Sequence, residues 1–150
     1  MKITDNVDQV FRNKAFNKIL SISPDQAVLD ALTLMAEFDV GALMVMSGEK
    51  LVGILSERDY ARKGILKGHH SNDTKVAEIM TTPVVSVTPC HTVDDCLSMM
   101  TRGHFRHLPV VEGDRVIGII SIGDLVKWVI SGQDRAIQAL EGYITGAYPC

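Results

Sequence analysis

Two heptapeptides carry the residues of this chain best suited to chemistry. GILSERD at 53–59 and GIISIGD at 118–124 each end an apolar run in a serine, with an aspartate three residues later. On the opening turn of a helix that spacing has two physical uses. As a variant capping box, the Ser oxygen accepts the third amide of the turn and the Asp carboxylate reaches back to the Ser amide. As a ligand site, the hydroxyl and the positive helix start hold a phosphate while the Asp accepts hydrogen bonds from a ribose diol. Both uses stand open on these residues alone. Arg58 adds a planar cation suited to phosphate in the first copy, and Gly123 takes its place in the second.

Other constellations carry less. Arg106 and His107 stand where the first copy has Gly41 and Ala42. His104 and His107, with His69 and His70, suggest a metal site, but strand residues three apart point to opposite faces and no third ligand has fixed spacing. Ser56, His107 and Asp59 could make a hydrolytic set, yet no oxyanion-hole loop is recognisable. Cys90, Cys96 and Cys150 have no CxxC spacing, so Cys90 and Cys96 read as reduced thiols and no zinc site or disulfide framework is indicated. The methionines fall within apolar patterns and read as core.

The elements that must position these residues occur twice. Pro24, Val28, Asp30, Met35, Gly48, Gly53, Ser56 and Asp59 return as Pro89, Val93, Asp95, Met100, Gly113, Gly118, Ser121 and Asp124, at one constant offset. In the first copy, ILSIS at 19–23 predicts a strand, and Asp25 a cap for a helix through Val28, Ala31, Leu32 and Met35. ALMVM and LVGIL around SGEK predict a hairpin, and a second helix starts near Ser56. The second copy repeats the plan from VVSVTP through LPVV, EGDR and VIGII to a helix from about Ser121. The expected fold is therefore α/β (α+β): two β-α-β-β-α repeats about a pseudo-twofold axis, with short helical extensions at both ends. The expected division is a leader at 1–18, repeat 1 at 19–66, a linker with a short helix at 67–83, repeat 2 at 84–130 and a helical tail at 131–150. In the tail, Trp128, Val129, Ile137, Leu140, Tyr143 and Ile144 leave an apolar surface in search of a partner.

A chain of 150 residues with 46% apolar residues can bury a continuous core. Its net charge of −3 argues against a broad footprint for nucleic acid or anionic lipid. The apolar runs fall far short of the ~20 residues that span a bilayer. MKITDNVDQV lacks the apolar stretch of a secretory signal, so cytoplasmic residence is the default expectation.

The β-α-β-β-α repeat, the HLPVV strand, the Gly-Ile-x-Ser-x-x-Asp ending and the MTTPV lead-in at 80–84 together resemble a tandem pair of CBS domains, the Bateman module, over about residues 15–130. The resemblance implies a regulatory module, not an enzyme, that binds adenosine-containing ligands in two clefts between repeats. AMP or NAD is expected first, with ATP, ADP or S-adenosylmethionine as further ligands and no metal required. Carried over to this chain, one cleft combines Ser56, Arg58 and Asp59 with Thr81, Thr82, Pro83 and Val84 and with Phe105, Arg106, His107 and Leu108. There Asp59 holds the ribose, Ser56 with Arg58 and Arg106 or His107 the phosphate, and the backbone near Thr82 and Val84 the adenine edge. The reciprocal, weaker cleft combines Ser121 and Asp124 with Lys18, Ile19 and Leu20 and with Val40, Gly41 and Ala42. The resemblance also implies a homodimer and, with no catalytic or DNA-binding domain recognisable in the chain, a regulated protein acting in trans. The alternative is a structural dimerisation module whose serines and aspartates only close helices.

Overall fold

The computed structural model of the chain describes residues 3–14 and 18–132. They form two compact units, one from Ile19–Val85 with Asp114–Val116, the other from Ser86–Gly113 and the residues from Ile117 onward with the N-terminal segment. In the first unit a sheet of order β1-β2-β3 is built from β1 (Ser21–Ile22), β2 (Ala42–Ser47) and β3 (Lys50–Ser56). The short β1 runs parallel to β2, with Ser21 opposite Met44 and Ile22 opposite Val45. The β2–β3 hairpin turns at Gly48, whose φ of +63° is the left-handed conformation such a tight turn demands. Ala42 to Val45 are all buried, which is why β2 reads as an unbroken apolar run rather than an alternating one.

Helix α2 (Val28–Phe38) buries Val28, Ala31 and Met35, one stripe at helical spacing. Asp25 does not cap it. Its N-cap is Ala27, which makes no side-chain bond, and the amides of Val28 and Leu29 instead reach the carbonyls of Thr74 and Ser71, each at 2.8 Å. The linker backbone supplies the acceptors that a capping side chain would otherwise provide. After β3 the expected single helix is three short pieces: α3 (Glu57–Asp59), a π-helical turn at Tyr60–Gly64 and a 3-10 turn at Ile65–Lys67. Ile22, Val28, Ala31, Met35, Leu43, Val45 and Leu55 form the core of this unit together with Val76 and Ile79 from the linker.

The second unit repeats the plan with α5 (Val93–Gly103), β4 (His107–Glu112), β5 (Arg115–Ser121) and α6 (Ile122–Ile130). Its opening strand, expected at VVSVTP, is reduced to a bridge in which Val87 donates to the Pro109 carbonyl and accepts from the Val111 amide. Pro109 stands where the first copy has Met44, and it has no N–H to donate to a further rung. Cys96 is buried in this core, and burial first, then the Asp95 carboxylate, pushes its thiol up to about 11. Cys90, expected as a reduced thiol, is disulfide-bonded, a pairing that residue spacing alone does not reveal. Helix α6 stops at Ser131, where the sequence breaks, and Trp128 is buried with its ring N–H donating to the Asp5 carboxylate at 2.9 Å. Ile137, Leu140, Tyr143 and Ile144 lie outside the described residues.

The leader, read from sequence as a short helical extension, does in the second unit what the linker does in the first. Helix α1 (Val7–Arg12) sends the amides of Val7 and Asp8 to the carbonyls of His91 and Pro89; helix α4 (Val76–Ile79) sends those of Val76 and Ala77 to Gln26 and Pro24. Val7 and Val10 enter one core as Val76 and Ile79 enter the other. Phe11 then covers Gly118, and Met80 covers Gly53. A Cβ on Gly118 would lie 2.3 Å from the Phe11 ring, and one on Gly53 2.5 Å from the Met80 sulfur. Each glycine is thus required by the helix docked over it. Ile79→Ala should therefore cost about 2–5 kcal/mol in a denaturant titration, while Leu66→Ala, at a side chain 79% exposed, should stay within about 0.5 kcal/mol.

Candidate functional site

Both Ser-x-x-Asp sequences form reciprocal caps. In the first, the Asp59 amide donates to Ser56 Oγ at 3.1 Å, and Asp59 Oδ2 accepts the Ser56 amide at 3.0 Å and the Ser56 hydroxyl at 3.1 Å. In the second, the Asp124 amide donates to Ser121 Oγ at 3.1 Å, and Asp124 Oδ2 accepts the Ser121 amide at 2.8 Å. The amides of Glu57 and Ile122 are taken as well, by the carbonyls of Gly41 at 3.0 Å and Arg106 at 2.8 Å. With those amides committed, a phosphate beside either serine depends on hydroxyls and cationic side chains more than on the backbone of the helix start.

Around the first cap, Asp59 is only 9% exposed. Its other oxygen, Oδ1, accepts the Thr81 hydroxyl at 3.0 Å and lies 3.2 Å from the Lys63 ammonium, which also reaches Thr81 Oγ1 at 3.2 Å. Thr81 is held there because its backbone and that of Ile54 exchange two hydrogen bonds of 2.8 and 3.0 Å. Asp59, Ser56 and Thr81, chosen from sequence, thus meet in one unit. Arg58, Thr82 and Pro83 are exposed nearby in the chain, and Val84 is half-buried. Lys63 was missed, although its place one turn after Asp59 is the spacing at which a lysine pairs with a carboxylate on a helix.

Around the second cap, Asp124 Oδ2 lies 3.0 Å from the Lys14 ammonium, which also donates to the Ile119 carbonyl at 2.7 Å. The Lys14 side chain is 15% exposed and that of Asp124 17%. No local pattern announces Lys14: it comes from the leader, brought over by docking of α1. Arg106 and His107, assigned from sequence to the Asp59 cleft, are described here in the unit that holds Asp124, as are Leu108, buried, and Phe105, whose ring rests on Gly103. Lys18 and Ile19 are exposed ahead of β1 and Leu20 is half-buried; Val40, Gly41 and Ala42 lead into β2.

The titration of His107 is displaced downward. Burial lowers it most, the Asp124 carboxylate pulls it back up, and Lys14 and Arg106 lower it further. Among the described residues no group of three His, Cys, Asp or Glu side chains is arranged to hold a metal ion. An NMR titration should therefore find the His107 midpoint below the ordinary 6.5, so that more than half of it is neutral where an unperturbed histidine is half-charged. Asp124→Asn, by removing the one raising influence, should lower that midpoint again, and Lys14→Met should raise it.

The family model of the CBS domain matches this chain twice, at residues 13–64 and 76–131. The chain is 42% identical over 129 residues to the mitochondrial CBS domain-containing protein CBSX3 of Arabidopsis thaliana, a match that covers 83% of this chain and 63% of the plant protein. It thus spans somewhat less than two thirds of that relative. A solved protein with CBS domains from Burkholderia ambifaria shares 45% identity and superposes with a TM-score of 0.82 over 85% of this chain and 96% of its own. The hexameric CBS-CP12 protein of bloom-forming cyanobacteria is 25% identical and superposes with a TM-score of 0.74 over 97% and 90%. The repeated helix-capped hairpins with their Ser-x-x-Asp endings are two CBS domains, and the chain belongs to the CBS domain family.

Proposed function

We propose that the chain is a non-catalytic regulatory module that binds an adenosine-containing ligand, AMP or NAD before ATP, ADP or S-adenosylmethionine, and alters its contact with a partner protein in response. The observation that carries this reading is the state of Asp59. A nearly buried carboxylate whose Oδ1 is met by a hydroxyl and by a lysine that is 43% exposed is an acceptor whose donors can be exchanged, and the two hydroxyls of a ribose could take their place. Lys63, whose side chain is 43% exposed, can leave Oδ1 without vacating a core position and turn to a phosphate together with Arg58. Ser56 keeps the carboxylate oriented while this exchange occurs. Asp124 is the second acceptor in the proposal, and Arg106 and His107 its phosphate-facing cation and donor.

A regulatory role requires that the ligand bind one arrangement of the module more tightly than another, since equal affinity shifts nothing. The second reading, a structural dimerisation module, is favoured by the apolar side chains left outside: Val126 and Ile130 on α6 are 46% and 79% exposed, and Ile65 and Leu66 56% and 79%. The hexameric cyanobacterial relative supports self-association, and a homodimer is compatible with either reading. No helix among the described residues is long and apolar enough to cross a membrane. The plant relative is named as mitochondrial.

Thermal unfolding with AMP, ADP, ATP, NAD, NADH and S-adenosylmethionine, with adenosine as the phosphate-free control, separates the readings. One nucleotide at about a hundredfold excess over its Kd should add about 2.7 kcal/mol of stability, and adenosine much less. Asp59→Ala should abolish most of that gain and Asp124→Ala a smaller part. No gain with any of the six, in protein freed of co-purified ligand, would leave the dimerisation module standing.

A further inference from the structure

The two acceptor carboxylates are paired by very different lysines. Lys63 lies one turn from Asp59 on its own helix and is 43% exposed; Lys14 comes from the leader, is 15% exposed, and is anchored by a second bond to the Ile119 carbonyl. Asp124 Oδ2 holds both the Ser121 amide and the Lys14 ammonium, so a diol that bonds both carboxylate oxygens has to compete with Lys14 at Oδ2. Lys14 is less free to turn aside than Lys63, because Phe11, three residues before it, is seated on Gly118.

We propose that Lys14 is an internal latch on the second site: a tethered cation that occupies the Asp124 carboxylate in the free protein, and that a diol-bearing ligand must displace in order to bind there. The inference rests on the reading of Asp124 as a ribose acceptor. It makes the leader the part of the chain that responds to ligand at this site. Because coupling is reciprocal, a ligand that must expel Lys14 is weakened by the factor by which it loosens Lys14. The second site is then vacant at ligand levels that fill the first, by reason of competition within the chain and not of a missing contact. Occupancy there is reported as release of a lysine that α1 otherwise holds against β5.

Two measurements test this. Titration calorimetry with AMP and NAD in an Asp59→Ala background reads the second site alone, and adding Lys14→Met should tighten binding there about tenfold, whereas Lys14→Arg, which keeps the cation, should not. In the wild-type protein, amine acetylation followed by mass spectrometry should find Lys14 slower to react than exposed Lys50, and faster once nucleotide is saturating. That readout needs no variant to fold. If nucleotide binds the wild type, yet Lys14→Met leaves the affinity unchanged and saturation leaves acetylation of Lys14 unchanged, the latch is wrong and the nucleotide reading survives. If no nucleotide binds the wild type, Lys14→Met or the double variant, the nucleotide reading fails and the latch fails with it.

Discussion

The first amide of α2 has its acceptor in the carbonyl of Thr74, and the first amide of α5 in the carbonyl of Asp5. Neither helix start could be buried without such an acceptor, since an unpaired buried amide costs as much as the bond it forgoes. Each repeat must therefore bring in a strand of foreign backbone, and that strand continues into a short helix whose valines or isoleucine complete the core. The rest follows from that constraint. Helices α1 and α4 are too short to be stable alone; docking on Gly118 and Gly53 holds them. The same docking delivers Lys14 to one carboxylate and Thr81 to the other, so the chemistry of each site is set by the segment that closes its core.

Against this background the two readings of Ser-x-x-Asp are not rivals. The cap is real in both copies, and a cap of this kind is worth roughly 0.5–2 kcal/mol to its helix. Capping uses one carboxylate oxygen and leaves the other to be satisfied by whatever reaches it. In the first copy that is Thr81 and Lys63 at Oδ1; in the second, Lys14 instead shares the capping oxygen, Oδ2, with the Ser121 amide. The carboxylates are oriented by the fold and balanced by an exposed lysine in one copy and a tethered one in the other, which keeps a nearly buried charge tolerable.

The duplicated plan was legible because it rests on local signals: apolar stripes at helical spacing, Gly48 and Gly113 at the hairpin turns, and Ser-x-x-Asp at the helix starts. Where tertiary contacts overruled local chemistry, the sequence misled. Asp25 looked like a cap, but the Thr74 and Ser71 carbonyls took the amides; VVSVTP looked like a strand, but Pro109 removed a donor on the neighbouring strand. Of the site, Ser56, Asp59 and Thr81 were legible as a set, whereas Lys14 was not, because its partner lies in the far copy and only the docked helix brings them together. The assignment of Arg106 and His107 to the Asp59 cleft came from family resemblance; within its own unit His107 feels the charges of Asp124, Lys14 and Arg106.

The placement of α1 also bears on the order in which the chain can fold as it is made. The contacts described among residues 19–85, their linker helix included, are available once that stretch has been synthesised, so most of this unit can close before Asp114–Val116 join it. Helix α1 emerges before it, yet its acceptors, the carbonyls of Pro89 and His91, and its core partners Val93, Leu108 and Ile120 do not exist until more than half the chain has followed. Domains that fold during synthesis do so from the N-terminus onward, and here α1, made before residues 19–85, finds its place after them. The apolar face of Val7, Val10 and Phe11 must stay uncommitted throughout, a helix short enough to remain unformed in the meantime being better suited to that wait than a long one.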